Sequence, residues 1–286
     1  MSNFIYELWR TLKSRALLAM IVIVTLSSIL VAYPVSSNPP AQVVVGNTVM
    51  GGYIFTSLDN LFGPLIPLVA IFEGYVVYGR DRLSGVLDSI IIKPITKQNL
   101  LVVRFLACVV SVLIGLVLST AIVDSALVAN GYSAMSPQLF ITILLSFLSE
   151  SSAFVGLVFL IAHLSRSQTI LLGASVALFF IFGILWGDII TSAIIQFAHV
   201  YPFSSSEFEF LRDYCIFSYA SPVSLVGNAG FLVTGVSPPV IITFQMGQLL
   251  LDPRKFGVTL SYVTLVGLIW AVVPILTSCL LSRKYD

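Results

Sequence analysis

Long apolar runs separated by short polar connections dominate the chain. A helix that crosses the hydrocarbon layer of a bilayer needs about 20 apolar residues, whereas a barrel strand shows about ten residues of alternating polarity. The runs here are continuous, so the pattern predicts six transmembrane helices in one transmembrane domain, residues 1–286, and the fold class is an all-α polytopic membrane protein. The predicted spans cover roughly 16–33, 54–78, 100–123, 138–162, 169–190 and 257–281.

A different pattern precedes the first span, over residues 3–15. Apolar residues share one helical face there, and polar or basic residues fall mostly on the other. A helix of this kind lies in the membrane interface, with its tryptophan at headgroup level. It can be a plain anchor or an elbow that moves with a transport cycle. The two faces are Phe4, Ile5, Leu8, Trp9 and Leu12 against Glu7, Arg10, Lys13 and Ser14.

Residues 191–256 do not read as a regular span. The stretch 222–251 is apolar but is broken by Pro222, Gly227, Gly230, Gly235, Pro238 and Pro239. Broken backbone at membrane depth survives only where protein or a wet cavity covers it. We therefore expect an external or re-entrant region over 191–256, built from a helical pair and lying near a translocation path.

Composition agrees with a membrane protein. The chain is 58% hydrophobic and only 9% charged, whereas a soluble domain carries about 45–50% apolar and about 25% charged residues. So few charges exclude a soluble globular enzyme, a disordered protein and a secreted disulfide scaffold. The net charge of +1 gives no indication of a nucleic-acid partner, and we expect none. Cys108, Cys215 and Cys279 lie too far apart in sequence for a disulfide framework or a zinc motif.

The basic residues lie mainly on one side of the predicted spans. With the amino terminus in the cytoplasm, 11 of them fall inside, and only Arg212, Arg254 and Lys255 fall outside. The positive-inside rule then predicts a multi-pass protein of the cell membrane with both termini cytoplasmic. The inside set is Arg10, Lys13, Arg15, Arg80, Arg82, Lys93, Lys97, Arg104, Arg166, Arg283 and Lys284.

The connection over residues 79–104 is the most charged part of the chain. Gly85 breaks the helix that continues from the second span, Pro94 ends a short apolar helix, and Thr96 can cap the next one. A short amphipathic helix between two spans can dock in a groove of a soluble partner. The alternative is a basic loop that faces anionic headgroups.

This stretch resembles the permease subunits of type-2, exporter-class ABC transporters. The motif is acidic–x–x–x–Gly–x–Leu–acidic, followed by Pro-Ile-Thr and a basic residue. Aspartates stand where that family often has glutamates, and the chain ends on a similar basic-basic-x-Asp sequence. The matching residues are Asp81, Gly85, Leu87, Asp88, Pro94, Ile95, Thr96, Lys97 and Arg104. The resemblance implies that residues 80–99, with Arg82 among them, form a coupling segment that contacts a separate ATPase subunit.

The chain lacks the motifs of an ATPase or a metalloenzyme. A P-loop needs G-x-x-x-x-G-K-[ST], and no Gly-Lys pair occurs here. Neither His163 nor His199 lies in an H-E-x-x-H motif. We therefore expect no enzymatic activity, no cofactor and no metal in this chain. The family resemblance implies a permease that exports a substrate, working as two permease chains and two ATPases among membrane lipids, with ATP and Mg²⁺ bound by the ATPase partner.

Two acidic residues within the spans are candidates for the translocation path. Glu150 lies near the middle of the fourth span, and Asp59 lies about one and a half turns into the second. A charge at the bilayer centre costs about 2.5–3.5 kcal/mol, so Glu150 should face the bundle interior or water. It can line the path, or it can be a protonated, purely structural carboxyl that hydrogen-bonds to Ser149, Ser151 or a neighbouring helix.

The same acidic residues leave two other functions open. A secondary transporter could run on protons through Glu150 and Asp59, although such proteins usually contain inverted repeats and none is evident here. A non-transporting anchor component is the other alternative.

Two pairings between spans can also be suggested. Arg104 is within reach of Glu73. Gly183 and Gly187 form a Gly-x-x-x-Gly sequence that allows close helix approach. This sequence fits packing within the chain or, as the family resemblance implies, a permease dimer interface.

Overall fold

The computed structural model describes residues 3–86, 97–201, 206–218, 220–223, 232, 240–244, 247–251 and 253–284. Within these ranges, six helices are long and apolar enough to cross a membrane, so the chain is a multi-pass membrane protein as predicted. The helices are α1 (Asn3–Leu12), α2 (Arg15–Ser37), α3 (Gly51–Leu83), α4 (Lys97–Ala129), α5 (Pro137–Leu164), α6 (Gln168–Ala198), α7 (Glu207–Ser218) and α8 (Leu260–Lys284); α1 and α7 are the two short ones.

Serine caps explain where several of these helices begin. The Ser14 side chain accepts a hydrogen bond from the backbone N–H of the third residue of α2, at 3.4 Å. Ser136 and Ser167 do the same for α5 and α6, each at 3.2 Å. A capping hydroxyl satisfies one of the backbone donors that a helix start leaves without a partner. The polar residue before each apolar run therefore sets the helix boundary.

The buried core lies mainly along α3, α4 and α5. The most apolar window of α5 is 72% buried, against 17% for α6 and 22% for α8. Phe62 of α3 packs edge-on against Phe147 of α5, with ring centroids 5.8 Å apart. The outer helices turn large apolar faces away from the bundle, which is the arrangement expected of lipid-exposed or partner-covered surfaces.

Three glycines allow helix pairs to approach closely. A Cβ atom added at Gly74 would lie 3.1 Å from Val158 Cβ of α5, and one added at Gly115 would lie 3.2 Å from Val24 Cβ of α2. At Gly156 the same atom would come 3.1 Å from Pro274 of α8. Small residues at such positions let helices pack in the absence of a hydrophobic driving force in lipid.

The fold over residues 191–256 differs from the prediction. The fifth long helix continues to Ala198, beyond the predicted end at 190. After α7, residues Val240–Phe244 (β3) pair in antiparallel register with Gly247–Leu251 (β4), so the expected helical pair is wrong over these residues. The sequence Val-Ile-Ile-Thr-Phe follows two prolines that cannot continue a helix, and β-branched and aromatic residues favour strands. A smaller hairpin between α2 and α3 pairs β1 (Val44–Val45) with β2 (Thr48–Val49).

One end of the bundle is rich in basic residues, and we call it the basic end. It carries the start of α2, the end of α3, the start of α4 and the connection from α5 to α6. Its basic residues include Arg15, Arg80, Arg82, Lys97, Arg104 and Arg166.

Candidate functional site: a polar clamp at the basic end

The last turns of α3 contain a local irregularity. Residues Tyr75–Gly79 form a π-helical turn between regular α-helical segments. Such a turn holds one extra residue and is frequent at functional sites. At its last residue the backbone comes close to α6, because a Cβ atom added at Gly79 would lie 2.5 Å from Leu171 Cδ2. The end of α3 therefore packs closely against α6.

Arg104 joins the end of α3 to the start of α4. Its Nη1 atom donates a hydrogen bond to Asp81 Oδ2 at 2.8 Å and another to the backbone oxygen of Val77. The Arg104 side chain is 10% exposed and that of Asp81 is 22% exposed. Charge-assisted hydrogen bonds in such a partly dry site are stronger than those in water. Arg104 thus pairs with Asp81, and not with Glu73.

A second set of contacts ties the same turns of α3 to α5. Arg82 Nε donates to the backbone oxygen of Ala162 at 3.1 Å. Tyr78 Oη lies 3.1 Å from His163 Nε2, and His163 Nδ1 lies 2.8 Å from the backbone oxygen of Phe159. Because a carbonyl oxygen only accepts, Nδ1 carries the proton and Nε2 accepts from the tyrosine hydroxyl.

We call Tyr78, Asp81, Arg82, Arg104 and His163 the polar clamp. Further bonds extend it to the remaining helices of this end: Tyr75 Oη donates to Gln168 Oε1 of α6 at 3.1 Å, and Gln98 Nε2 of α4 donates to the backbone oxygen of Cys279 in α8 at 3.3 Å. These hydrogen bonds link α3, α4, α5, α6 and α8 at the basic end.

The predicted coupling segment is described in part. Asp81, Arg82 and Lys97 lie at its two ends, and the first two belong to the polar clamp. Gly85 has a φ of +75°, a left-handed conformation that favours glycine, and α3 ends two residues earlier, as expected. Leu87, Asp88, Pro94 and Thr96 lie outside the described residues, so their contribution stays a prediction.

Glu73 forms a buried polar contact that sequence reasoning did not single out as a site. Its side chain is 1% exposed, and Ser111 of α4 donates to its Oε1 atom at 2.8 Å. Its other carboxyl oxygen has no hydrogen-bond partner within the described part of the chain. The signal was present in the sequence as an acidic residue in an apolar run, but the serine on another helix cannot be read from spacing.

Glu150 lies inside the bundle, as its position in the fourth span predicted. It is 0% exposed, and neither carboxyl oxygen has a hydrogen-bond partner among the residues that the structure describes. The predicted hydrogen bonds from Ser149 and Ser151 are not formed. The Ser149 hydroxyl has no hydrogen-bond partner within the described residues, and the Ser151 and Ser152 hydroxyls bond back to the Leu148 carbonyl at 2.9 and 2.7 Å. Asp59, on α3, is half-buried.

The two glycines of the Gly-x-x-x-Gly sequence have different surroundings. A Cβ atom added at Gly187 would lie 3.1 Å from the hydroxyl of Tyr214, in α7 of the same chain. At Gly183 the nearest group is the Phe179 ring of its own helix, at 3.4 Å, and the glycine is exposed. Gly187 therefore serves packing within the chain, and the dimer interface stays a prediction.

Within the described ranges, no group of three or more histidine, cysteine, aspartate or glutamate side chains lies together in a way that could hold a metal ion. No protein-family model matches the chain, and no curated protein matches it. The polar clamp and the buried carboxyl groups are thus the features from which a function can be argued.

Proposed function

We propose that this chain is the membrane-spanning permease subunit of an ABC transporter, which exports a substrate with ATP hydrolysed by a separate subunit. In this proposal both termini are cytoplasmic, the basic end faces the cytoplasm, and residues 80–99 contact the ATPase. The absence of a Gly-Lys pair supports an ATPase on another polypeptide.

The polar clamp is the observation that carries the proposal. A segment that receives force from a partner must be fixed to the elements that move. Asp81 and Arg82, which begin the proposed coupling segment, are bonded to α4 and α5 respectively. On α5, the partners of Arg82 and Tyr78 are the Ala162 carbonyl and the buried His163 ring, so the end of α3 is held to the core of the bundle.

Transport would follow from two states of the assembly. Closure of two ATPases on ATP pushes on residues 80–99 of each permease chain, and the helices joined by the polar clamp rock together. A path between the two permease halves then opens toward the other side. Coupling of this kind requires that ATP binds with different affinity in the two states.

The test is affinity purification of the full chain from native membranes, with two matched substitutions. Asp88→Lys reverses a charge in the proposed coupling segment, and Asp188→Lys makes the same change at an exposed position in α6. We expect a P-loop ATPase to co-purify with the wild type and with Asp188→Lys, and to be lost with Asp88→Lys. Equal recovery of the ATPase with both variants, or transport by the purified chain alone, would contradict the proposal.

A second candidate function is ion-coupled transport through Glu150 and Asp59. It is favoured by one observation, namely that the Glu150 carboxyl is fully buried without a hydrogen-bond partner in the described residues. An intramembrane ionisable group of this kind marks an ion or proton path in many transporters.

The two candidates differ in what drives uptake into proteoliposomes. Under the second function, the chain alone transports when a proton gradient is imposed, and Glu150→Gln abolishes this while Glu209→Gln, at an exposed position, does not. Under the first, a gradient drives no transport by the chain alone, and transport requires the ATPase subunit together with ATP.

A further inference from the structure

The short helix α1 carries a surface groove that the proposed function does not use. The groove has a volume of about 580 Å³ and is lined by Tyr6, Trp9, Arg10 and Lys13. The first and last pairs of these residues are each three positions apart, and the middle two are adjacent. Residues three or four positions apart lie on the same side of a helix, so the four share one face. Two aromatic and two cationic side chains thus share a single exposed surface.

The opposite side of α1 is fixed to the bundle. Leu8 and Leu12 pack against the buried cluster at the basic end, which includes Leu17, Leu101 and Phe159. The predicted apolar face is therefore divided in the structure, since these leucines face protein while Trp9 is 53% exposed. A docked helix presents its outward groove in a fixed orientation, which reduces the entropy lost when a ligand binds.

The groove side chains are also organised among themselves. Lys13 Nζ lies 5.4 Å from the centroid of the Trp9 ring, within the range of a cation–π contact. Tyr6 is 58% exposed, and Arg10 is exposed beside it. The arrangement offers two positive charges and a tyrosine hydroxyl next to flat apolar surface.

We propose that this groove binds the headgroup of an anionic phospholipid. Arginine and lysine donate to phosphate oxygens, and tryptophan and tyrosine are the residues that prefer the depth at which headgroups meet acyl chains. The location supports a lipid, because α1 leads directly into the membrane-crossing helix α2 through Lys13 and Ser14. Residues 3–15 contain three basic residues and one acidic residue, which fits an anionic rather than a zwitterionic headgroup.

The size of the effect follows from the two charges. Each lysine or arginine near an anionic bilayer surface contributes about 1 kcal/mol, which is a factor of about five in binding. Loss of both Arg10 and Lys13 should therefore weaken the preference for anionic lipid about 30-fold.

Fluorescence quenching by brominated lipids measures this preference directly. The full chain carries Trp186→Phe and Trp270→Phe so that Trp9 is the remaining tryptophan, and it is reconstituted in phosphatidylcholine vesicles. Brominated phosphatidylglycerol and brominated phosphatidylcholine are then added in separate titrations over the same range of mole fractions. We expect phosphatidylglycerol to quench Trp9 at far lower mole fraction, and Arg10→Gln with Lys13→Gln to remove most of that difference.

Two control variants make the result specific. Arg254→Gln with Lys255→Gln removes the same two charges from exposed positions elsewhere and should leave the preference unchanged. Arg10→Lys with Lys13→Arg keeps both charges and should retain it, which shows that the surface is folded.

Several outcomes would overturn the proposal. The first is equal quenching by the two lipids in the parent chain, which is expected if a protein or a second copy of this chain covers the groove. The second is a loss of lipid preference in the Arg254 and Lys255 variant as large as that in the Arg10 and Lys13 variant. Displacement of the lipid by millimolar inorganic phosphate would also overturn it, because the site would then belong to the free anion.

Discussion

Breaking the ion pair of the polar clamp should destabilise the bundle in a way that depends on both partners. The perturbation is a double-mutant cycle with Asp81→Asn, Arg104→Met and the two combined. Arg104→Met also removes the hydrogen bond to the Val77 carbonyl. The cycle cancels this contribution, because the bond is lost whether or not Asp81 is present.

The expected magnitude follows from the geometry. Two unit charges 2.8 Å apart attract each other by about 6 kcal/mol at an effective dielectric constant of about 20. Desolvation of both groups and the ordering of the arginine side chain offset most of this, because the side chains are only 10% and 22% exposed. Hydrogen bonds to charged groups retain about 1.5–3 kcal/mol, so we expect a coupling energy of about 2 kcal/mol.

The assay is unfolding of the purified chain by SDS in mixed micelles, followed by far-ultraviolet circular dichroism. The matched control is the pair Arg212–Asp213 on α7, which has the same 2.8 Å separation but a 48% exposed arginine side chain. An exposed pair of this kind should show no resolvable coupling. Equal coupling in the two pairs, or less than about 0.5 kcal/mol in the polar clamp, would refute the reasoning.

The same unfolding assay checks two other positions. Gly74→Ala should lower the free energy of unfolding by about 1–3 kcal/mol, because the added Cβ atom would lie 3.1 Å from Val158. The control Gly173→Ala should not lower it, because nothing lies within 4 Å of that position. Equal losses of stability in the two variants would contradict this account. Glu150→Met should raise the free energy of unfolding by about 1–4 kcal/mol, because it removes a buried carboxyl group that has no hydrogen-bond partner in the described chain. A loss of stability would show that the carboxyl group does have such a partner.

The helices could be predicted from the sequence because a continuous apolar run of about 20 residues has few other solutions. Their ends were predicted unevenly. Gly85 correctly marked the end of α3 at Leu83, whereas residues after 190 are less uniformly apolar and yet α6 continues to Ala198. Backbone hydrogen bonding continues a helix until a residue such as Gly85 or His199 adopts a left-handed conformation.

Contacts between helices could not be predicted from spacing alone. Arg104 was recognised as part of the motif, but Glu73 and Asp81 are both acidic and both within reach along α3, and only the packing selects Asp81. The glycine contacts show the same difficulty. Gly183 and Gly187 have the familiar spacing, whereas Gly74 and Gly156, which form close approaches, have no spacing signature.

The π-helical turn at Tyr75–Gly79 carries a consequence for how this chain tolerates length changes. A π-helical turn holds about one residue more than an α-helical turn for the same full rotation. Removing one residue from Tyr75–Gly79 would therefore restore a regular helix and leave Asp81 on nearly the same face of α3. Removing one residue from a regular part of α3 before this turn would instead rotate the following residues by about 100° and turn Asp81 away from Arg104. A one-residue deletion should therefore be tolerated better inside the π-helical turn than in the regular helix before it.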